Sequence, residues 1–172
     1  MVDIEDIKRS FSELQWIKNT ELREKVAKVW TEAAKRGKWK SLKDVPFTLL
    51  LENSGCLVDH TKRITHLVKS IYDQRDEYLN LDALIAGALL HDVGKLLEYE
   101  VKNGAVVKSN YGSIFRHPVS GALLAHAMGL PDEIVHIIYA HSHEGDTLKR
   151  SPEAIIVNHC DFIDFEIKKS LV

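Results

Sequence analysis

Residues 83–95 read Ala-Leu-Ile-Ala-Gly-Ala-Leu-Leu-His-Asp-Val-Gly-Lys. The part from Ala83 to Leu90 is uncharged and apolar, which predicts a helix buried in the core, and the helical pattern extends over residues 82–98. The apolar run ends on His91 and Asp92, two residue types that bind metals. An unpaired charge costs several kcal/mol when it is buried, so these side chains need partners. The stretch therefore predicts a helical core with a polar site at the end of its central helix.

Four other residues carry the same kinds of groups elsewhere in the chain: His60, His117, His141 and Asp161. His60 falls on the apolar stripe of a predicted helix, and His141 follows Ile137 by one turn, so both imidazoles face the core. A lone histidine on such a stripe is usually an ordinary core residue, and a lone late aspartate is usually a surface group. These ordinary explanations weaken when several separate helices each direct one such side chain inward. A bound metal would then be the common partner of all these side chains.

The combined set of groups predicts a metal site of a particular kind. Four neutral imidazoles and two carboxylates suit divalent iron, manganese, nickel, cobalt or zinc. The set is also larger than a closed structural zinc site, which takes four ligands.

Length and composition predict one globular domain over residues 1–172. The chain has 172 residues, of which 45% are hydrophobic and 28% charged, with a formal net charge of −2. This charge favours neither a nucleic-acid polymer nor an anionic membrane as a partner. The N-terminus has no apolar signal core, no apolar run spans a bilayer, and the two cysteines form no CxxC pair. These features predict a cytoplasmic protein with free thiols.

The hydrophobic period is helical along most of the chain, which predicts an all-α bundle of about six or seven helices. The predicted helices cover residues 3–17, 20–36, 56–76, 82–98, 118–128 and 131–141, with a last helix after Ser151. Residues 1–45 are expected to form N-terminal helices that pack on a core motif region of about 55–165. Over residues 98–110, apolar and polar residues alternate on both sides of Asn103-Gly104. This pattern predicts a small β-hairpin or loop insertion. The run 47–51 fits a short helix or a buried extended segment.

In chain order, the candidate ligands resemble the signature H…HD…H…H…D of the HD superfamily of metal-dependent phosphohydrolases. The resemblance covers residues 55–165, and Lys95 matches the HDxGK variant of the motif. It implies an HD-domain helical bundle with two divalent metal ions drawn from Fe, Mn, Ni, Co and Mg. It places one ion on His60, His91, Asp92 and Asp161. It places the second ion on Asp92, His117 and His141, with Asp92 as the bridge.

Two branches of the superfamily fit less well. The branch that cleaves cyclic dinucleotides has Gly-Tyr-Pro after paired histidines, whereas Ser142 follows His141 here and no such tripeptide is present. The guanosine-tetraphosphate hydrolase branch has Glu-Asp at the positions that Lys95 and Leu96 occupy in this chain.

The resemblance implies a metal-dependent phosphohydrolase that cleaves a small phosphoester, with a nucleotide as the leading candidate. In such sites a water between two ions about 3.5–4 Å apart becomes a hydroxide and attacks phosphorus. Asp92 and Lys95 are the expected catalytic residues, and Lys95, Arg116 and His143 are the expected substrate-binding residues. A solvated loop charge is an equal alternative for Arg116. His143 fits a ligand, a proton donor or a plain loop residue.

Two other functions stay open at this point. A similar ligand set occurs in HD-type oxygenases, whose mixed-valence di-iron centre oxidises a phosphonate or a polyol. A non-catalytic signalling or ligand-binding HD module is the third possibility, and the intact ligand set argues against it. The N-terminal region holds Trp16, Trp30 and Trp39, and it is expected to close the bundle, cap the pocket or form the interface of a homodimer.

Overall fold

The computed structural model describes residues 2–171. The α-helices are α1 (Ile4–Ser10), α2 (Thr20–Arg36), α3 (Leu57–Tyr72), α4 (Leu81–Leu90), α5 (Lys95–Glu98), α6 (Asn110–Ile114), α7 (His117–Ala127), α8 (Asp132–Ala140) and α9 (Pro152–Ser170). Short 3-10 segments occur at Ser12–Trp16, Leu42–Asp44 and His143–Gly145, and strands β1 (Tyr99–Lys102) and β2 (Ala105–Lys108) form a hairpin. The predicted all-α bundle with a small hairpin insertion is confirmed. No helix within residues 2–171 is long and apolar enough to cross a membrane.

Helix α4 is the centre of the core. Its residues from Ala83 to Leu90 are all buried, and it contacts α2, α3, α8 and α9. Asn80 caps its first turn by accepting a hydrogen bond from the Ala83 amide. A helix that is apolar on every side requires such complete burial. The C-terminal end of α4 therefore lies inside the bundle.

The N-terminal segments pack against one side of α4. The indole Nε1 of Trp30 in α2 donates a hydrogen bond to the Leu89 carbonyl at 2.9 Å, and the Phe11 ring packs on Trp30. The prediction of one helix over residues 3–17 is wrong, because Phe11 (φ −126°, ψ 82°) leaves helical geometry between α1 and the 3-10 segment. Phe11 is almost fully buried, so its packing on Trp30 stabilises the break.

The predicted helix over residues 82–98 is also interrupted. Helix α4 ends at Leu90, residues 91–94 form a turn, and α5 begins at Lys95. A Cβ atom on Gly94 would lie 2.1 Å from the His117 carbonyl oxygen, so the turn approaches α7 this closely only with glycine. The turn brings the residues after α4 next to the first turn of α7.

The structure gives the conformation of the turn at Asn103-Gly104 and of the run 47–51. Asn103 and Gly104 have φ values of 53° and 80°, the left-handed pair that a tight type I′ hairpin turn needs. The run 47–51 contains no helix. Phe47 is buried, and its amide donates a hydrogen bond to the Gly55 carbonyl at 2.9 Å, next to the antiparallel bridge between Pro46 and Cys56.

Candidate metal centre

Side chains from several segments converge at the inner end of α4. They are the residues that the sequence predicted as ligands, namely His60, His91, Asp92, His117, His141 and Asp161. They form two groups that could each hold a metal ion, since the ligand atoms within each group lie within 4.8 Å of one another. Asp92 belongs to both groups. The fold thus brings all the predicted ligands into one cluster.

The first group surrounds the Nε2 atom of His60, which is buried in α3. This atom lies 3.1 Å from His91 Nε2 and 3.1 Å from Asp161 Oδ1. It lies 3.3 Å from Asp92 Oδ2, and His91 Nε2 lies 3.4 Å from the same oxygen. Two imidazoles and two carboxylates therefore point at a common position.

The second group faces the other oxygen of Asp92. His117 Nε2 lies 3.1 Å from Asp92 Oδ1, and His141 Nε2 lies 3.5 Å from it. Each oxygen of this one carboxylate therefore faces a different pair of histidines. That is the arrangement in which a carboxylate bridges two ions.

His91 and His141 are oriented by the ends of their own helices. Each follows the last residue of its helix, and each Nδ1 lies 2.7 Å from the carbonyl oxygen three residues earlier, of Ala88 and Ile138 respectively. Since a carbonyl only accepts hydrogen bonds, each Nδ1 carries the proton and each Nε2 keeps a free lone pair directed into the cluster. The same helix-end device thus supplies one ligand to each group.

Carboxylates orient the other two histidines. Nδ1 of His60 lies 2.7 Å from Asp164 Oδ2, and Arg63 makes two hydrogen bonds to the same carboxylate. Nδ1 of His117 lies 2.8 Å from Glu98 Oε2, which also accepts from the His117 amide at 2.7 Å. These contacts leave both Nε2 atoms facing the cluster.

Neither of these carboxylates was expected from the sequence. Asp164 follows Asp161 by three residues on α9, and this spacing on one helix face was a usable signal. Glu98 had no such signal, because the turn at 91–94 separates its helix α5 from α4.

Buried atoms in the cluster test whether metal ions fit it. Asp92 Oδ1 and His141 Nε2 are both buried without a hydrogen-bond partner, although they lie 3.5 Å apart. Both are acceptors, so they repel each other unless a cation lies between them. His60 Nε2 and His91 Nε2 lie 3.1 Å apart, a separation at which two neutral imidazoles need a proton or a cation between their lone pairs. The residues present therefore fit divalent ions in both groups.

The ionisation of the cluster agrees with this fit. Burial alone would raise the pKa of Asp92, but the Lys95 ammonium beside its carboxylate holds it well below its ordinary value. Burial lowers the pKa of His117 to about 4, although Asp92 and Glu98 oppose that shift. Asp92 is thus a carboxylate and His117 a neutral imidazole near neutral pH, which are the protonation states that metal binding requires.

The pKa of His60 shifts upward, in the opposite direction from the pKa of His117. Burial opposes its protonation, yet Asp161, Asp164 and Asp92 raise its pKa to about 9. Asp161 itself is shifted down to a pKa of about 2, against burial, mainly through its hydrogen bond to His60. In the metal-free protein a proton on His60 therefore takes the place of a cation among these carboxylates.

Lys95 lies directly beside the shared carboxylate. Its Nζ is 2.5 Å from Asp92 Oδ2, and the residue is buried. The ammonium also sits over the Phe47 ring at 4.8 Å, and that ring stacks on the His60 imidazole at 3.8 Å between centroids. Phe47 thus supports both Lys95 and a candidate ligand, a role that sequence analysis did not assign.

A cavity of about 420 Å³ opens next to the cluster. Its polar lining includes Lys95, Lys108, Arg116, His117, His143 and Asp161. Glu98 also lines the cavity, and its apolar surface comes mainly from Phe47, Leu49, Leu50, Phe162 and Phe165. The lining therefore offers both cationic side chains for an anion and apolar surface for an organic group.

The two remaining predicted substrate residues lie at this cavity. Arg116 Nη1 donates a hydrogen bond to Glu144 Oε1 at 2.8 Å, so Arg116 is anchored rather than a freely solvated charge. His143 lies in the 3-10 segment after α8, with Nδ1 3.1 Å from Asp146 Oδ2 and a largely exposed ring. His143 does not belong to either group of possible ligands.

The fold and the cluster define a class of helical protein in which histidines and aspartates from separate helices form a candidate metal centre. The sequence pattern described as the HD domain matches residues 57–165, more than half of the chain, and the chain belongs to the HD-domain family. The resemblance stated from the ordered histidines and aspartates is confirmed.

Relatives of known name share parts of this region. A dihydroneopterin 2′,3′-cyclic phosphate phosphodiesterase from Methanocaldococcus jannaschii is 31% identical over 120 residues, which are 66% of this chain and 47% of that protein. Ribonuclease Y from Acidothermus cellulolyticus is 36% identical over 77 residues, 45% of this chain and 13% of that protein. Ribonuclease Y from Thermobifida fusca is 34% identical over 104 residues, 58% of this chain and 18% of that protein. The chain thus spans less than half the length of these relatives. No solved structure matches it.

Proposed function

We propose that this protein is a metal-dependent phosphohydrolase that cleaves a small phosphodiester with a planar organic group, a nucleotide being the first candidate. The observation that carries the proposal is the position of Asp92, whose two oxygens face separate pairs of histidines beside a cavity with cationic lining. Two divalent ions bridged in this way would polarise the phosphoryl oxygens and make a water nucleophilic near neutral pH. The named phosphodiesterase relative agrees with this chemistry.

The residues of the chain supply orientation and charge. Asp92 holds both groups together, and Lys95 fixes its carboxylate while presenting an ammonium to the cavity. Arg116, anchored by Glu144, offers a second cation for a phosphoryl oxygen. Phosphoryl transfer depends mainly on such positioning and charge stabilisation. We assign proton donation to the leaving group to His143, because its contact with Asp146 leaves the other ring nitrogen free.

The cavity supports a small substrate with a flat organic part. Its volume of about 420 Å³ falls within the usual range for small-molecule sites. Leu49 and Leu50 are 41% and 80% exposed, and with Phe162 they offer apolar surface to a ring. The phosphodiesterase relative is named for dihydroneopterin 2′,3′-cyclic phosphate. The ribonuclease Y relatives make an RNA strand the competing substrate.

The test is a hydrolysis panel with protein loaded separately with Mn²⁺, Co²⁺, Ni²⁺ or Mg²⁺. It compares a 2′,3′-cyclic nucleotide, a nucleoside 5′-monophosphate, bis(p-nitrophenyl) phosphate and a short RNA. We expect cleavage of the small diesters, complete loss in Asp92→Asn, and about 10²–10³-fold lower rates in Lys95→Ala. Lys102→Ala, which removes an exposed hairpin lysine, is the matched control and should keep the full rate.

Two results would contradict the proposal. Cleavage of RNA alone would assign the site to a polymer. Oxygen consumption with a phosphonate or a polyol, by iron-loaded protein that hydrolyses none of the esters, would establish the oxygenase instead.

A further inference from the structure

The β-hairpin contributes one cation to the cavity beside the cluster. Lys108 is the last residue of β2 and pairs with Tyr99, the first residue of β1, so it lies where the hairpin joins α5. Both of these residues line the cavity. Lys102 and Ala105 pair at the opposite end of the hairpin, beside the turn. The register of the two strands therefore places Lys108, and not Lys102, at the cavity.

The surroundings of Lys108 leave its ammonium available to an anion. Its Nζ lies 3.4 Å from Glu98 Oε1, and within residues 2–171 it donates no hydrogen bond. Glu98 accepts two hydrogen bonds from His117 with its other oxygen, so its charge is shared between His117 and Lys108. The Lys108 side chain is 45% exposed. All three donors of this ammonium can therefore bind a ligand in the cavity.

Lys95 and Lys108 occupy different positions relative to the cluster. Lys95 contacts Asp92, the carboxylate that both groups of candidate ligands share. Lys108 reaches the cluster only through Glu98, which contacts His117 at Nδ1. The Nδ1 atom is on the side of the ring that points away from the cluster, because Nε2 faces Asp92. Lys108 is therefore set back behind a candidate ligand, whereas Lys95 lies among the ligands.

The cavity carries more positive charge than one phosphodiester would neutralise. Its charged lining consists of Lys95, Lys108 and Arg116 with the carboxylates Glu98 and Asp161. Asp161 belongs to a candidate metal site, and divalent ions there would use its charge. A phosphodiester has a single negative charge, which the ions and Lys95 would neutralise. Lys108 would then still lack an anionic partner of its own.

We propose that the preferred substrate is a nucleotide diester that carries a second phosphate, and that Lys108 binds this second phosphate. The inference rests on the proposed function, because it takes cleavage of a small diester at the cluster as its starting point. A phosphate monoester has a charge of about −1.5 to −2 near neutral pH and three strong acceptor oxygens. It therefore matches the charge and the free donors of Lys108. In this role Lys108 selects among diesters and takes no part in the reaction.

Two chromogenic esters test the inference. They are thymidine 5′-(p-nitrophenyl phosphate) and the same compound with a phosphate on O3′. The kcat/KM of Mn²⁺-loaded protein should be about 10-fold higher for the phosphorylated ester, between the effects of an exposed ion pair and a buried charged hydrogen bond. Lys108→Met should bring the ratio of the two kcat/KM values close to one, and Lys108→Arg should restore it. The matched control is Lys102→Met on the same hairpin, which should keep the ratio of the wild type.

The ratio separates a binding role of Lys108 from a structural one. If the lysine only supported Glu98, Lys108→Met would lower both kcat/KM values equally and leave their ratio unchanged, which would overturn the inference. Equal kcat/KM values in the wild type would also overturn it, while the proposed function would stand.

Hydrolysis of neither ester would contradict the proposed function separately. Calorimetric titration of the metal-loaded protein with the same two esters then tests the inference, because binding needs no turnover. Tighter binding of the phosphorylated ester by the wild type but not by Lys108→Met would support it. Equal affinities of the wild type for both esters would overturn it.

Discussion

Replacing Glu98 by glutamine is expected to weaken only one of two metal-binding steps. Glu98 Oε2 accepts hydrogen bonds from the His117 amide at 2.7 Å and from His117 Nδ1 at 2.8 Å. Burial would raise the pKa of Glu98, but the contacts with His117 lower it to about 2, so the group is ionised. Glutamine keeps an acceptor oxygen but removes the charge that strengthens His117 Nε2 as a metal ligand. Asp164→Asn makes the same change behind His60.

The size of the effect follows from the hydrogen bonds. A bond to a charged group contributes about 1.5–3 kcal/mol and a neutral one about 0.5–1.5 kcal/mol, so each bond loses roughly 1–1.5 kcal/mol. The two bonds to Glu98 set an upper limit of about 2–3 kcal/mol, or roughly 30- to 140-fold in metal affinity. The two hydrogen bonds also stabilise the metal-free protein, so part of this energy cancels from the change in metal affinity. The expected loss is therefore the about 10- to 100-fold that is typical of such supporting groups.

Competition with a fluorescent chelator resolves the two binding steps. Glu98→Gln should weaken the step that involves His117, and Asp164→Asn should weaken the other step. The control is Glu13→Gln, because Glu13 is also buried and pairs with a histidine, His66, at 2.9 Å, but neither belongs to the cluster. An equal loss in both steps for either variant, or a loss in the control, would refute the assignment of separate sites.

Three further outcomes are expected. Chelation should lower the melting temperature by about 5–10 °C per ion if the starting metal concentration is a hundred times Kd, and calorimetry should show recovery on reloading. Gly94→Ala should lower the free energy of unfolding by about 1–3 kcal/mol in urea titrations, since its Cβ would clash with the His117 carbonyl. Gly104→Ala, at a left-handed hairpin position, should cost about 1–2 kcal/mol in the same titrations without changing the metal content.

Much of the site was predictable because its ligands lie at places that helical periodicity marks. His60 lies on an apolar stripe, and His91 and His141 each follow the last turn of an apolar helix. Their inward direction follows from the pitch of the helix, which is a local property of the chain. The family signature then connected these positions into one site before any distance between them was known.

The supporting contacts depended on the tertiary structure. Glu98 lies 19 residues from His117, and Asp164 lies 104 residues from His60. Phe47 came from a run whose secondary structure was ambiguous, yet its ring stacks on His60 and supports Lys95. No local pattern encodes such pairs, because they form only when separate helices pack together.

The sequence by itself determined the helical class, the central helix and the identity of the candidate ligands. The spacing of apolar and polar residues sets which face of a helix is buried, and this spacing can be read directly from the chain. Only the tertiary structure decided where the helices break and which oxygen of Asp92 faces which histidines. It also decided that Lys95 contacts Asp92 rather than standing free in the cavity. These features depend on the close approach of distant segments, such as the packing of Gly94 on the start of α7, which is set by the shape of the whole core.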